Sequence, residues 1–282
     1  MFEKFSRSWA LIKASASVLS KDKELLVFPA VSAVAALLVA ASFAAPVYWW
    51  AMGHPEGLEQ DLSPLWYVYG FCFYLTQYFV IFFFNTALVG AASIRLEGGD
   101  PTVTDGLRIA WSKIGVILGY AAIAATVGMI LRAIEERAGW IGRIVVGMLG
   151  MAWTVVSFMV VPVLVHRDIG PVDAVKESAG LLKQTWGENL VGQGGVGLVF
   201  GLMFIVLWLI FGPLIALSSG ANSLALTGSI IAVAVICTML LALTQTALQG
   251  IYSAALYRYA VGHVNAPEFS GPLLENAFAR KA

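Results

Sequence analysis

Six long apolar runs alternate with shorter polar segments along the chain. They extend approximately over Leu26 to Met52, Leu65 to Ala92, Ile114 to Leu131, Ile144 to Val165, Leu190 to Leu217 and Ala225 to Tyr257. A helix of about 20 apolar residues crosses a bilayer hydrocarbon core of about 30 Å. The pattern therefore predicts an all-α polytopic membrane protein with six transmembrane helices, and residues 1–282 form a single integral membrane domain.

Ahead of each pair of runs lies a segment whose apolar residues recur at steps of three and four. The three stripes are Phe2, Phe5, Trp9, Ile12, Ala16 and Leu19; Val103, Leu107, Ala110 and Ile114; and Val175, Ala179, Leu182 and Trp186. This spacing indicates amphipathic helices, and Pro101 and Pro171 suit helix starts. We therefore predict three helix-hairpin units, approximately 1–93, 94–165 and 166–257, followed by a cytoplasmic tail, 258–282.

The predicted amphipathic helices carry aromatic residues beside basic ones. Such a helix lies in the headgroup plane with its apolar stripe in the acyl boundary, which makes Trp9, Trp111 and Trp186 the expected interfacial anchors. Alternatively, the three helices pack as a cover across the cytoplasmic ends of the spans. Both interpretations concern architecture rather than activity.

Composition and charge support the membrane class. Hydrophobic residues make up 59% of the chain and charged residues only 12%, which excludes a soluble globule, and the net charge of zero gives no sign of nucleic-acid binding. Of the 17 lysines and arginines, only Arg132, Arg137 and Arg143 fall outside if the N-terminus is inside. The positive-inside rule then predicts both termini in the cytoplasm. The acidic residues before the first run argue against a cleaved signal peptide.

Uncharged polar residues interrupt two of the runs. Gln77 and Asn85 lie two helical turns apart in the second run, and Gln245, Gln249 and Tyr252 follow steps of four and three in the sixth. The two stripes are candidates for the lining of a polar cavity. The alternative is that they form interhelical hydrogen bonds that hold the bundle together.

Small residues indicate where helices pack closely. The pairs Gly115 with Gly119 and Gly197 with Gly201 have the spacing that lets helix backbones approach each other. Pro213 is expected to kink or end the fifth helix, because proline removes a helical hydrogen bond.

The sequence carries no recognisable catalytic or metal-binding pattern. It has no Gly-x-Ser-x-Gly motif, and its three histidines and two cysteines are scattered. We therefore expect a protein that is not an enzyme and uses no cofactor or metal. The remaining alternative is an interfacial active site built from Asp105, Asp173 and neighbouring arginines.

Several segments carry a family resemblance over nearly the whole chain. They are Ser8 to Ser15 (SWALIKAS), Lys21 to Pro29 (KDKELLVFP), Gly98 to Gly115, Val127 to Arg137 and Pro162 to Gly192. With these the chain resembles a family of bacterial integral membrane proteins of unknown function. More loosely it is similar to the membrane domain of some glycerophosphodiester phosphodiesterases, and most weakly to sulfate permeases. These resemblances imply a six-helix bundle in the bacterial inner membrane and carry over no activity.

Two functions fit these observations. The first is a multi-pass component of the inner membrane that binds lipid, a second copy of itself or another membrane protein. The alternative is a channel or transporter for a small solute or anion. Replacing the polar stripe residues by leucine separates the two, since only the second function requires those residues for flux.

Overall fold

The protein, described here from a computed structural model, is mainly helical in the part of the chain that the structure describes, residues 2–53, 64–184, 186–220 and 223–262. A 3-10 turn, Lys23–Leu26, links the first two helices. The helices are α1 (Phe2–Lys21), α2 (Val27–Gly53), α3 (Pro64–Leu96), α4 (Val103–Ser112), α5 (Ile114–Arg137), α6 (Trp140–Ser157), α7 (Val160–His166), α8 (Pro171–Gln184), α9 (Trp186–Gly220) and α10 (Leu224–Ala260).

Within the described residues, six helical segments are long and apolar enough to cross a membrane, in agreement with the predicted number of spans. They are Lys23–Gly53, Leu65–Leu96, Ile114–Arg137, Trp140–His166, Val196–Gly220 and Leu224–Ala260. The fourth span is broken into α6 and α7 at Phe158 and the residue after it. In a continuous helix the ring of Pro162 would clash with the carbonyl group of Phe158, four residues earlier. Pro213 does not end the fifth span, since α9 continues to Gly220.

The close-packed core lies at one end of the bundle, which we call the packed end. There α3, α7 and α10 finish and α1, α4 and α8 lie between the spans. Every residue from Thr86 to Ser93 in α3 and from Gly250 to Arg258 in α10 is buried. At the opposite, far end, the chain turns from α5 into α6, and most side chains of α9 and α10 are exposed. Sequential spans contact each other in the pairs α2 with α3, α5 with α6 and α9 with α10.

Glycines let two helices approach α3 within the packed end. A Cβ on Gly106 of α4 would lie 2.7 Å from the carbonyl oxygen of Ala87 and 2.5 Å from the Phe28 ring. A Cβ on Gly250 of α10 would lie 2.4 Å from Leu88. All three distances are shorter than van der Waals contact, so these two positions have room only for hydrogen.

The predicted glycine pairs behave differently. Of the four, only Gly119 faces a close neighbour, the Pro171 ring at 2.9 Å from an added Cβ. Gly115, Gly197 and Gly201 have no described atom within 4 Å of that position. Spacing alone therefore found one of the close contacts and missed Gly106 and Gly250, because the intervals between glycines do not show which helix face is covered.

Helix length relates the packed end to the membrane. α3 has 33 residues and α10 has 37, whereas about 20 residues cross the hydrocarbon core. A span of that length from the start of α3 ends near Phe83, whose ring lies 6.1 Å from that of Trp111 in α4. The turns of α3 beyond Phe83 pack against α4, which carries Asp105 and Arg108. We infer that the packed end stands at the membrane surface rather than in its middle.

The start of α4 is fixed by its own side chains. The Thr102 hydroxyl accepts a hydrogen bond from the Asp105 amide at 3.2 Å, and the Asp105 carboxylate accepts one from the Thr102 amide at 3.1 Å. This capping box satisfies two backbone groups that the helix itself leaves free. It sets the point at which α4 turns its small residues toward α3.

Replacing Gly106 by alanine tests the close approach of α4 to α3. We expect the Gly106→Ala variant to lose about 1–3 kcal/mol of unfolding free energy, because the added methyl group must displace a backbone carbonyl or Phe28. Gly180→Ala in α8 is the matched control: no described atom lies within 4 Å of its added Cβ, so better helix propensity makes it neutral or stabilising. Thermal unfolding in detergent measures both, and equal melting temperatures would contradict the packing account.

Candidate functional site

Two networks of charged side chains tie the helices together at the packed end. The first joins the end of α1 to the end of α3: Arg95 Nε lies 3.1 Å from Asp22 Oδ2, and the Arg95 guanidinium also donates to the Gly99 carbonyl at 3.3 Å. Only 8% of the Asp22 side chain is exposed. Burial raises the pKa of Asp22 above its usual value, and the opposing effect of Arg95 offsets this rise only in part.

The last turn of α10 joins the same region. Arg258, with 10% of its side chain exposed, donates a short hydrogen bond to Glu97, just beyond the end of α3. Its Nε atom has no described partner. The pairs Asp22–Arg95 and Glu97–Arg258 therefore link α1, α3 and α10, whose chain positions are far apart.

The second network joins the start of α5 to the loop before α8. Lys113 Nζ lies 2.5 Å from Asp168 Oδ1 and donates to the Arg167 carbonyl at 3.1 Å. Arg167 in turn lies 3.2 Å from Glu177 and donates to Tyr257 of α10. The hydrogen bond from Lys113 holds the pKa of Asp168 below its usual value. Hydrogen bonding to Tyr257 is the main cause that raises the pKa of Arg167.

Of the three predicted interfacial anchors, Trp111 has a side chain that the structure describes. Its ring is 68% exposed, while Gly106 and Ala110 on the same short helix are buried. The side chains of Trp9 and Trp186 lie outside the described residues. The backbone places Trp9 within α1 and Trp186 at the first position of α9, rather than in α8 where the predicted third stripe ended.

The polar stripes of α3 and α10 come together at one point. The Asn85 side-chain oxygen lies 3.7 Å from the position that a Cβ of Gly250 would take, next to Gln249. Tyr252 is buried, with its ring 6.2 Å from Phe158. Gln245 and Gln249 are half-buried, and the buried side-chain oxygen of Gln77 has no described hydrogen-bond partner. A cavity lined by these residues stays a prediction.

The charged networks are the part of the site that sequence analysis missed. Asp22, Arg95 and Arg258 looked like ordinary charges flanking apolar runs, and nothing in their spacing pairs them. The great length of the second and sixth runs could have indicated these networks. Residues beyond about 20 in a run lie outside the hydrocarbon core, where charged side chains can contact other helices. Within the described residues, no three His, Cys, Asp or Glu side chains are grouped so that they could hold a metal ion.

Comparison with protein families gives a match over most of the chain. The model of a family of unknown function (DUF6159) matches residues 65–266, which include five of the six predicted spans. No curated protein matches the chain. The looser similarities to phosphodiesterase membrane domains and to sulfate permeases, and the expected bacterial origin, are not shown by these comparisons.

Removing the guanidinium of Arg95 tests the first network. We expect Arg95→Gln to lose about 1–3 kcal/mol of unfolding free energy at pH 7, less than a fully buried pair because Arg95 is 23% exposed. The folded-state pKa of Asp22 lies above its unfolded value, so protonation favours the folded variant. Its stability should therefore recover as the pH falls from neutral toward the ordinary pKa of a carboxyl group and be lost again as the pH rises.

Two controls accompany this measurement. Arg108→Gln removes an arginine that is 77% exposed, and it should change the free energy of unfolding by no more than about 0.5 kcal/mol. Adding Asp22→Asn to Arg95→Gln should abolish the recovery at low pH. An Arg95→Gln variant as stable as Arg108→Gln, or with no recovery, would show that the pair does not hold α1 to α3.

Proposed function

Since the chain belongs to the DUF6159 family, whose function is unknown, we propose that it is a non-catalytic, multi-pass membrane component that binds membrane lipid through its packed end. The observation that carries this proposal is the exposed ring of Trp111 on a helix whose opposite face is buried. A tryptophan held in this way has its ring available to the headgroup region, where aromatic side chains are favoured.

The neighbours of Trp111 support a position at the membrane surface. Lys113 lies two residues further along the chain and is neutralised by Asp168, and α5 then begins as an apolar span at Ile114. Arg108, one turn earlier on α4, is 77% exposed and can reach lipid phosphates. The ring and the guanidinium thus form an outward surface, the α4 surface, at the level where a span begins.

The rigidity of the packed end favours binding over movement. α4 is capped at its start, and its small residues contact a part of α3 that is buried on all sides. Ion pairs fix α1 and α10 against the same end of α3. These contacts hold the α4 surface in a defined orientation, as a lipid-binding or partner-binding component requires. In this proposal the packed end faces the cytoplasm, in agreement with the distribution of basic residues.

A second candidate function is a passage for a small solute or anion. It is favoured by the buried, unpartnered oxygen of Gln77, because a buried carbonyl without a partner is costly unless water or a solute reaches it. The contact of Asn85 with α10 lies in the packed end rather than at the centre of a span. The lipid-binding function accounts for more of the structure.

Quenching of tryptophan fluorescence tests the α4 surface. In vesicles containing phospholipids brominated near the glycerol end of the acyl chain, we expect Trp111→Phe to remove a strongly quenched part of the emission, because the ring lies at the acyl boundary. Trp140→Phe, at a similarly exposed position on the far end, is the matched control. When only one leaflet carries brominated lipid, the two tryptophans should be quenched from opposite leaflets. If Trp111 emission were quenched by aqueous iodide and not by brominated lipid, the lipid proposal would fail.

Solute flux separates the two functions. Purified protein in liposomes should give no more flux of potassium, chloride or sulfate than empty vesicles, if the chain is a lipid-binding component. Flux that is abolished in Gln77→Leu and retained in Leu240→Ala, a change at an exposed position on α10, would establish the second function instead. Size-exclusion profiles check that each variant is folded.

A further inference from the structure

A groove of about 600 Å³ opens between α5 and α6 at the far end of the bundle. Its lining combines charged side chains at one end with glycines and aliphatic side chains at the other. The lining residues are Gly128, Leu131, Arg132, Glu135, Glu136, Val146, Gly147 and Gly150. The volume is within the range of small-molecule pockets, about 300–1,000 Å³.

The charged residues of the groove lie at headgroup level. Arg132 is about 27 Å along α5 from Ile114, close to the thickness of a hydrocarbon core. Trp140, at the start of α6, is 75% exposed, as expected for a residue of an interfacial aromatic belt. Gly147 and Gly150 lie about 10 to 15 Å further along α6, at the depth of the acyl chains.

The mouth of the groove contains one cation and two anions. Arg132 donates from Nε to Glu136 at 2.9 Å and from Nη1 to the Tyr74 hydroxyl at 2.7 Å. A guanidinium has five N–H donors, so further donors are left for an outside acceptor. Glu135 makes no ion pair with a described residue and is exposed. This mouth complements a ligand that carries both a phosphate and a positive group.

The floor of the groove is formed by helix backbone. An added Cβ on Gly147 or Gly150 would have no described atom within 4 Å, so their absent side chains leave open space. Leu131 and Val146 flank this space with apolar surface. An extended hydrocarbon chain fits such a floor, because it has no polar groups that require partners.

We propose that this groove is a binding site for a phospholipid with a phosphoethanolamine headgroup. The phosphate accepts hydrogen bonds from Arg132, the ammonium group donates to Glu135 and Glu136, and an acyl chain lies over Gly147 and Gly150. Bidentate contacts between arginine and phosphate are among the strongest hydrogen bonds in proteins. The site lies at the opposite end from the α4 surface, so either proposal can fail without the other.

The charges of the lining favour this headgroup over the other common ones. An anionic phosphatidylglycerol would add negative charge beside two carboxylates and offers no cation to pair with them. A choline group has a positive charge but no N–H to donate. The primary ammonium group of phosphatidylethanolamine has three N–H donors, which match the two carboxylates. Arg137 and Arg143 are exposed and are not part of the lining.

Native mass spectrometry of the full chain in detergent tests the site. Dioleoyl phosphatidylethanolamine, phosphatidylcholine and phosphatidylglycerol are added separately at equal concentrations, and the bound fraction is measured. We expect the unaltered chain to bind phosphatidylethanolamine at least about fivefold more tightly than the other two. Arg132→Gln should weaken this binding about tenfold or more, since charged hydrogen bonds to phosphate are lost.

Further variants assign the contacts. Glu135→Gln should remove most of the preference over phosphatidylcholine while leaving binding of phosphatidylcholine unchanged. Gly147→Leu fills the floor and should weaken all three lipids, whereas Met148→Leu, at an exposed position beside it, should not. Arg143→Gln is the matched control for Arg132→Gln. Because Arg132 also contacts α3 through Tyr74, the thermal unfolding of Arg132→Gln is measured, and Gly147→Leu gives an independent result if that variant does not fold.

Two results would overturn the proposal. One is that the unaltered chain binds phosphatidylglycerol as tightly as phosphatidylethanolamine or more tightly, which would show that the mouth does not recognise the ammonium group. The other is that Gly147→Leu binds phosphatidylethanolamine as tightly as the unaltered chain and that Arg132→Gln binds it as tightly as Arg143→Gln. That result would place any bound lipid elsewhere on the bundle.

Discussion

The arrangement of the bundle depends on the close approach of helices to the last third of α3. Residues from Thr86 to Ser93 are buried on every face of the helix, so α3 has no lipid-facing side there. That approach requires glycine at the contacts, since a side chain at Gly106 or Gly250 would collide with α3. Such backbone proximity allows dense van der Waals contacts on both sides of each glycine, and these contacts stabilise the association of the helices.

The charged pairs follow from this packing. Once α1 and α10 are fixed against α3, the carboxylate of Asp22 and the guanidinium of Arg258 lie in a region with little water, and each requires a partner from α3 or the residues after it. The packed end therefore combines dense apolar contacts with paired charges. The far end is more exposed, and its apolar helices and the α5–α6 groove are suited to lipid.

The class of fold was readable from the sequence, while the contacts were not. Six apolar runs predict six spans because length and hydrophobicity alone decide that a segment can cross a bilayer. The glycine pair Gly197 and Gly201 shows the limit, since the same spacing occurs where no described atom approaches. The pairing of Asp22 with Arg95 depends on the three-dimensional path of the chain between them. The threefold repeat and the polar cavity stay predictions.

The central claim is that the packed end stands at the membrane surface, with the hydrocarbon boundary near Phe83. Nitroxide labels on single cysteines, introduced after replacing Cys72 and Cys237, measure it through collision with oxygen and with a water-soluble nickel complex. Labels at Arg108 and Val172, both exposed at the packed end, should collide mainly with nickel, and labels at Leu38 and Leu209, exposed near the middle of α2 and of the fifth span, mainly with oxygen. Greater oxygen accessibility at Arg108 and Val172 than at Leu38 and Leu209 would place the packed end inside the bilayer and contradict the account.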